Sequence, residues 1–453
     1  MSSLPQVTTH PEAHEPRPLT ADFASAQIAM FRGDAVGKIV QNAVSAQGAD
    51  AISMDRDIIN AIDESVSERL DTWGVTNQKH SGRCWEFAGL NVLRARMIHD
   101  LNLDDFAFSQ NYIAFFDKLE KANHVLTLAI EMADQPDSAE DVRDLFKELG
   151  DGGFWAQFLD LVRKYGVVPV WAMPDTESSG NTDQMNRALT ALLRRSIGRI
   201  RRAYRSTPID LDDIRTSTMK EIWRILAIHL GTPPTSFVWQ YRDKDKNFHS
   251  EGEMTPLDFA RKYVPGDITD YVALTHDPRE EHPEGRRYVI EHTPYMEGGT
   301  PYTHVTAPIE DLKRAAIASI REGEPVWFSC DVNQQFDRKS GIWDAHLHDY
   351  DALYGLSFQM SKADRMRLHH TAPTHAMVFT GVDLVDGKPR RWRVENSWGD
   401  EVGKKGFFTM NDSWFNEYVF QVIVAPRHLT EAQRRAAHEE PTLIPHWDAL
   451  TSF

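Results

Sequence analysis

The sequence predicts an α+β protein of two lobes. Three observations carry this. Apolar residues recur at helical spacing through roughly the first two thirds of the 453 residues; β-branched and aromatic runs separated by turn residues crowd the remainder; and no repeat interrupts the order. Residues 1–20 are polar and proline-bearing and read as a flexible arm. Residues 21–70 read as an N-terminal extension, with "RDIINAIDESVSERL" placing Ile58, Ile59, Ile62, Val66 and Leu70 near helical spacing. Next, "CWEFAGLNVLRARMIHDL" sets Phe87, Leu90, Leu93, Met97 and Leu101 on one stripe, so Cys84 stands in the first turn of a helix, with Gly82 before it to allow a tight turn. From about 109 to 290 the pattern is mostly helical. The strands come late, in "GEPVWFSCDV", "HAMVFTGVDLV", "RRWRVENSW", "GKKGFFTM" and "YVFQVIVA", as an antiparallel sheet or barrel would give. The chain closes on Pro441, Pro445 and the extended tail "PHWDALTSF".

Composition excludes several classes. A net charge of -17 argues against general attraction to nucleic acid or anionic membrane. Two cysteines, Cys84 and Cys330, make no disulfide framework and suit a reducing compartment. No run approaches the roughly 20 apolar residues of a membrane-spanning helix, and the N-terminus has no apolar signal-peptide core, so the expected location is cytoplasmic. Histidine clusters such as "AHLHDY" and "RLHHTAPTH" come without HExxH or paired Cys/His spacing, so no metal site is expected. The arginine run "RRSIGRIRRAYR", residues 194–205, reads as a solvated helix face pairing with the abundant acids.

Cys84 is the residue with chemistry in reach. A thiolate is the nucleophilic form of cysteine, and the unpaired N–H groups of a helix N-terminus favour it. Free cysteine is also a common core residue, so position alone leaves both readings open. His375 opens an apolar strand, and the next strand closes on Asn396, 21 residues later. Adjacent strands in that order bring imidazole and amide together, giving base and orienter to a nucleophile. Cys330, in a strand with no histidine box beside it, reads as core.

"NQKHSGRCWEFA", "THAMVFTGV" and "VENSWGD" resemble the cysteine, histidine and asparagine boxes of papain-like cysteine peptidases, and the wider text "DGGFWAQFLDLVRKYGVVP" and "RWRVENSWG" is similar to the bleomycin hydrolase and aminopeptidase C branch (peptidase C1B). The resemblance runs from about residue 50 to the end. It implies a papain-like two-lobe fold, a helical lobe plus an antiparallel β-barrel-like lobe, with a catalytic unit over 71–440, a helical insertion over roughly 180–290, and a C-terminal tail, 441–453, entering the active-site cleft. It implies Cys84 as nucleophile, His375 as general base and then acid, Asn396 as orienter and Gln78 as oxyanion donor. Trp398 would shield the His375–Asn396 bond or simply pack. The Phe453 carboxylate would meet a substrate's α-ammonium, with surface packing of the tail as the plain alternative. Ser81 stands where secreted relatives have a further cysteine.

The implied activity is a thiol aminopeptidase without metal or organic cofactor, acting on peptides as a homohexamer. Glu86 and His80 depart from the branch, and Glu86 is expected to point to solvent. Two rivals are carried: an amidohydrolase on small amides such as bleomycin, and a nucleic-acid-binding ring built on the arginine run with a vestigial peptidase site.

Overall fold

The computed structural model describes residues 17–70, 73–206, 210–293 and 295–451. The helix Cys84–Asp100 is buried continuously from Cys84 to Ala95, its polar Glu86, Asn91 and Arg94 included. A helix enclosed on all sides needs neighbours on all sides. It gains the helices Gln110–Glu131 and Trp155–Tyr165 on one flank and the strands Val326–Cys330 and His375–Val385 on the other. The indole N–H of Trp327 donates to the Trp85 carbonyl at 3.3 Å, which fixes the first turn of the helix to the sheet. Asp183–Ser206 and Leu211–Leu230 complete the helical layer, sharing one apolar core with it.

The main sheet runs in the order Thr442–Ile444, Arg287–Ile290, Thr303–Thr306, Val272–Thr275, Val419–Val424, Val326–Cys330, His375–Val385, Lys388–Glu395, Phe407–Asn411, Ile342–Trp343, Phe336–Asp337, with Glu68–Arg69 joining His375–Val385 from the side. His375 lies opposite Cys330 and Ala376 opposite Ser329, while Val378 faces Glu395 across the hairpin. Register thus sets Asn396, the residue after Glu395, beside the start of the histidine strand.

The structure departs from the sequence reading in four places. The helix expected through Leu70 ends at Ala61, because Arg391 donates to the Ala61 carbonyl and Ser65 turns back on Asp63. Helical character stops short of 290: Phe237–Arg242 and Phe248–Met254 form a hairpin, and Val272–Thr275 and Arg287–Ile290 are sheet strands. The sheet is mixed, with three parallel pairs among the described residues, since Thr303–Thr306, Ile342–Trp343 and Thr442–Ile444 each reach their neighbour by a long crossover. Gly82 is needed for close approach, its N–H bonding Asp151 at 2.8 Å where an added Cβ would meet the Asp151 side chain at 3.0 Å.

Residues 17–56 form a second compact unit together with His348–Gln359. Ser53 bonds His348 Nδ1 at 3.2 Å, and the Tyr350 hydroxyl donates to Asp50 at 2.7 Å. Its helices Ala21–Gly33 and Ala35–Gln47 bury no residue and expose Phe23, Ile28, Met30, Phe31, Val36 and Ile39.

One buried ion pair crosses from helix to sheet. Arg94, on the Cys84 helix, donates to Glu395 and, at 2.7 Å, to the Gly74 carbonyl, while the Trp73 indole donates to the second Glu395 oxygen at 2.8 Å. Both charged side chains are at most 2% exposed. Arg94→Ala strands the carboxylate, so we expect a loss of about 3–5 kcal/mol in urea unfolding. Arg96→Ala removes only an exposed i,i+4 pair with Asp100 and should cost at most about 1 kcal/mol. Equal midpoints for the two variants would dismiss the crossing pair as a structural tie.

Candidate active site

Cys84 is the first residue of its helix, where backbone N–H groups lack intrahelical partners. The Ala376 N–H donates to Cys84 Sγ at 3.4 Å, so the sulfur rests against the strand one residue from His375. His375 Nε2 lies 3.0 Å from Asn396 Oδ1. That oxygen also accepts the Ser397 N–H at 2.8 Å, which settles the amide's orientation and makes Nε2 the protonated ring nitrogen. Nδ1 is then left as the acceptor. Trp398 lies over this pair, its ring 5.2 Å from the imidazole, and receives the Arg338 guanidinium on its face at 4.5 Å.

Gln78 is tied to the asparagine loop twice. Its N–H donates to the Ser397 carbonyl at 2.8 Å, and its Oε1 accepts the Ser397 hydroxyl at 2.6 Å. One hydrogen of its Nε2 goes to the Ser81 carbonyl at 2.5 Å, leaving the other free to donate. Ser81 itself donates to the Gln78 carbonyl at 2.7 Å. Both cysteines are free thiols, and Cys330 is fully buried.

Burial dominates the electrostatics. It pushes the Cys84 thiol up to about 11, against the Ala376 and Trp85 N–H groups, with Glu86 adding to the rise. It lowers the His375 imidazole to about 4, against the bond to Asn396 and with a further push from Arg338. Desolvation therefore opposes each charge taken singly. Between those values the pair shares one titratable proton besides that on Nε2 and has no net charge. Within that count, thiolate with imidazolium gains the attraction of opposite charges and the helix N-terminus.

Glu86 corrects an expectation. It is fully buried, and neither carboxylate oxygen has a hydrogen-bond partner among the described residues. Burial, then the Asp117 and Asp151 charges, raise its pKa well above the ordinary carboxyl value, with Arg83 and Lys121 opposing. Solvent is out of reach because the first turn of the helix is covered on that side by Arg83, itself 1% exposed, and the Asp117–Lys121 layer.

Ser397, Arg338 and the Arg94–Glu395 tie are partners the sequence reading missed. Ser397 lay inside the asparagine box and offered a hydroxyl as its signal; Arg338, in a loop about 60 residues away, offered none. Phe453 lies outside the described residues. The tail before it is packed: Arg279 forks onto Asp448 at 2.8 and 2.9 Å, and Ala449 and Leu450 are buried. Leu450 lines a small cavity with Pro373 and Ser329, the ladder partner of Ala376.

A helix-borne cysteine set against a sheet-borne histidine and asparagine is the arrangement of a papain-like cysteine peptidase. A Peptidase C1-like family model matches residues 18–451, and the chain belongs to that family. It is 39% identical to aminopeptidase G of Lactobacillus delbrueckii subsp. lactis over 93% of this chain and 97% of that one. It is 39% identical to human bleomycin hydrolase over 83% and 85%. The crystal structure of PepW from Lactobacillus rhamnosis HN001 superposes with a TM-score of 0.92 at 37% identity, covering 96% of this chain and 98% of that one. The protein is thus a cysteine peptidase of the aminopeptidase and bleomycin hydrolase branch. No helix among the described residues is long and apolar enough to cross a membrane.

Glu86 generates a pH test. A buried acid with a raised pKa lowers stability as pH climbs from the ordinary carboxyl value, where the unfolded chain ionises, to the raised value. Glu86→Met should therefore stabilise the fold, by about 1–3 kcal/mol for an unpaired buried polar group, and more at pH 8 than at pH 5. Urea midpoints at the two pH values measure it; a gain that is absent, or larger at pH 5, contradicts the buried-acid assignment.

Proposed function

We propose that the protein is a thiol aminopeptidase that removes residues from peptide N-termini through a Cys84–His375–Asn396 triad. The observation that carries this is the contact series Ser397–Asn396–His375, ending beside the strand N–H that bonds Cys84 Sγ. His375 Nδ1 takes the thiol proton, and the thiolate attacks the scissile carbonyl carbon. The resulting oxyanion is met by the Cys84 N–H and the free hydrogen of Gln78 Nε2. His375 then gives its proton to the departing amine, leaving an acyl-enzyme. Water, deprotonated by the same imidazole, attacks the thioester and releases the thiolate. Asn396 holds the ring through these transfers, and Trp398 keeps water from the bond that does so.

The tail supplies the exopeptidase step. Asp448 to Phe453 would fill the subsites upstream of the scissile bond, with the Phe453 carboxylate pairing with the substrate ammonium. The anchoring of Asp448 by Arg279 and the cavity that Leu450 shares with Pro373 and Ser329 support this course. The exposed apolar helices of the N-terminal unit support assembly with further copies, for which we propose a hexamer; two free thiols support a reducing, cytoplasmic setting. The human relative's name favours a second reading, hydrolysis of small amides such as bleomycin. The arginine run favours no nucleic-acid role: Arg201 is buried on Asp137 and two carbonyls, and Arg195 pairs with Glu221.

Two experiments test the proposal. Cys84→Ala and His375→Ala should abolish hydrolysis, Asn396→Ala should leave a measurable remnant, and Gln78→Ala should cost roughly 10²- to 10³-fold in kcat, whereas Cys330→Ala keeps activity; turnover by the Cys84 variant would end the thiol mechanism. Deleting Thr451 to Phe453, which spares the Arg279–Asp448 pair, should let the enzyme cut N-acetylated peptides internally and raise KM for unblocked ones. An unchanged product ladder from the acetylated and free peptides would reduce the tail to packing.

A further inference from the structure

Away from the thiol, two histidines from distant segments meet at the C-terminal end of the sheet's edge. The strand Thr442–Ile444 pairs in parallel with Arg287–Ile290, Ile444 opposite Ile290, and the Glu291 N–H continues the ladder to the Ile444 carbonyl at 2.9 Å. His446 and His292 each stand two residues beyond the paired isoleucines, and their rings lie 5.0 Å apart. Over them lies the short helix Glu140–Asp144, with Asp141 and Asp144 three residues apart on one face. His292 Nε2 is 3.6 Å from Asp141 Oδ1, and His446 Nε2 is 2.9 Å from Asp144 Oδ2. Glu291 closes the group, 3.3 Å from His446 Nδ1.

Three features point to a cation. The charge is unbalanced: three carboxylates face two imidazoles, and Lys147, largely exposed, reaches only the outer Asp144 oxygen. His292 Nε2 is a buried nitrogen without a hydrogen-bond partner, on a residue held in the left-handed region at φ 57°. The spacing also fits. Ligand atoms of Asp141, His292 and His446 all lie within 4.8 Å of one another. At metal–ligand lengths of about 2.0–2.2 Å, two ligands on a tetrahedral ion sit roughly 3.3–3.6 Å apart, so the His292–Asp141 pair already has that spacing and the widest pair needs a contraction of about 1 Å. A second carboxylate–histidine group, Glu322, Glu324 and His428, lacks the charge vacancy because Arg427 lies on both acids at 2.7 and 2.5 Å.

We propose that Asp141, His292 and His446, with Asp144 or Glu291 as a fourth ligand, bind a divalent transition ion of the zinc class. Two imidazoles with carboxylates select such an ion over calcium or magnesium, which take oxygen ligands. The ion joins the helical layer, the sheet edge and the C-terminal segment at the residue before Trp447. It makes the order of that segment depend on metal. Binding stands apart from the aminopeptidase reading; only its effect on cleavage would rest on it.

The test uses full-length Cys84→Ala protein, so that the thiol does not compete for metal, titrated with Zn²⁺ by calorimetry and with Co²⁺ by visible absorption. We expect one ion per chain at this site, a nitrogen- and oxygen-ligated Co²⁺ spectrum, and slower carboxypeptidase trimming of the tail when zinc is present. His446→Ala and His292→Ala should abolish the Co²⁺ spectrum, Asp141→Asn should lower affinity by at least roughly 10- to 100-fold, and His428→Ala should change neither. Circular dichroism matched to the parent keeps a folding failure from counting as lost binding. Absence of stoichiometric binding, or binding that survives both His292→Ala and His446→Ala, overturns the site.

Discussion

The buried pair between Arg94 and Glu395 sets the geometry on which the site depends. One member rides on the helix that begins at Cys84, the other is the residue before Asn396, so a single charge-assisted contact spans the boundary between the helical layer and the sheet. Removing two charges from water is expensive, and only their mutual attraction with further hydrogen bonds offsets it. The Gly74 carbonyl and the Trp73 indole provide those bonds. The result tolerates little sliding of helix against strand.

Burial around the thiol works against ionisation, and the surroundings answer it unevenly. Backbone N–H groups from Ala376 and Trp85 favour the thiolate, whereas Glu86 and Arg338 act against thiolate and imidazolium respectively. The first of these opponents is Glu86. It places a proton-binding carboxyl two residues along the helix from the Cys84 thiol, in a layer that also holds Arg83, Asp117, Lys121 and Asp151.

The positions of Cys84, His375 and Asn396 were legible because each sits at an element boundary marked by local pattern: a helix start, a strand start and a strand end. Their partners were less so. Ser397 could be named only after the strand register was known, since its two bonds reach Gln78 across more than 300 residues. The burial of Glu86 was hidden because helical periodicity assigns it to a face, and a helix covered on every side from Cys84 to Ala95 has no solvent face there. Short helices and the long crossovers behind the three parallel pairs were misread for a related reason. What ends the helix Arg56–Ala61 is a side chain 330 positions away, not a local stop signal. Distant histidines such as His292 and His446 likewise show no motif, because their common offset exists only in the pairing of two strands.

The separation along the chain between Cys84 and the strand that meets it, 292 positions from Cys84 to Ala376, has a consequence for biosynthesis. During translation the Cys84 helix emerges long before His375. Until the strand His375–Val385 has followed it, Cys84 stands in a half-built helical layer without the imidazole, and the edge strand Thr442–Ile444 is laid down later still. The side chains proposed as nucleophile and base are therefore brought together only after the long stretch of chain between them has been made.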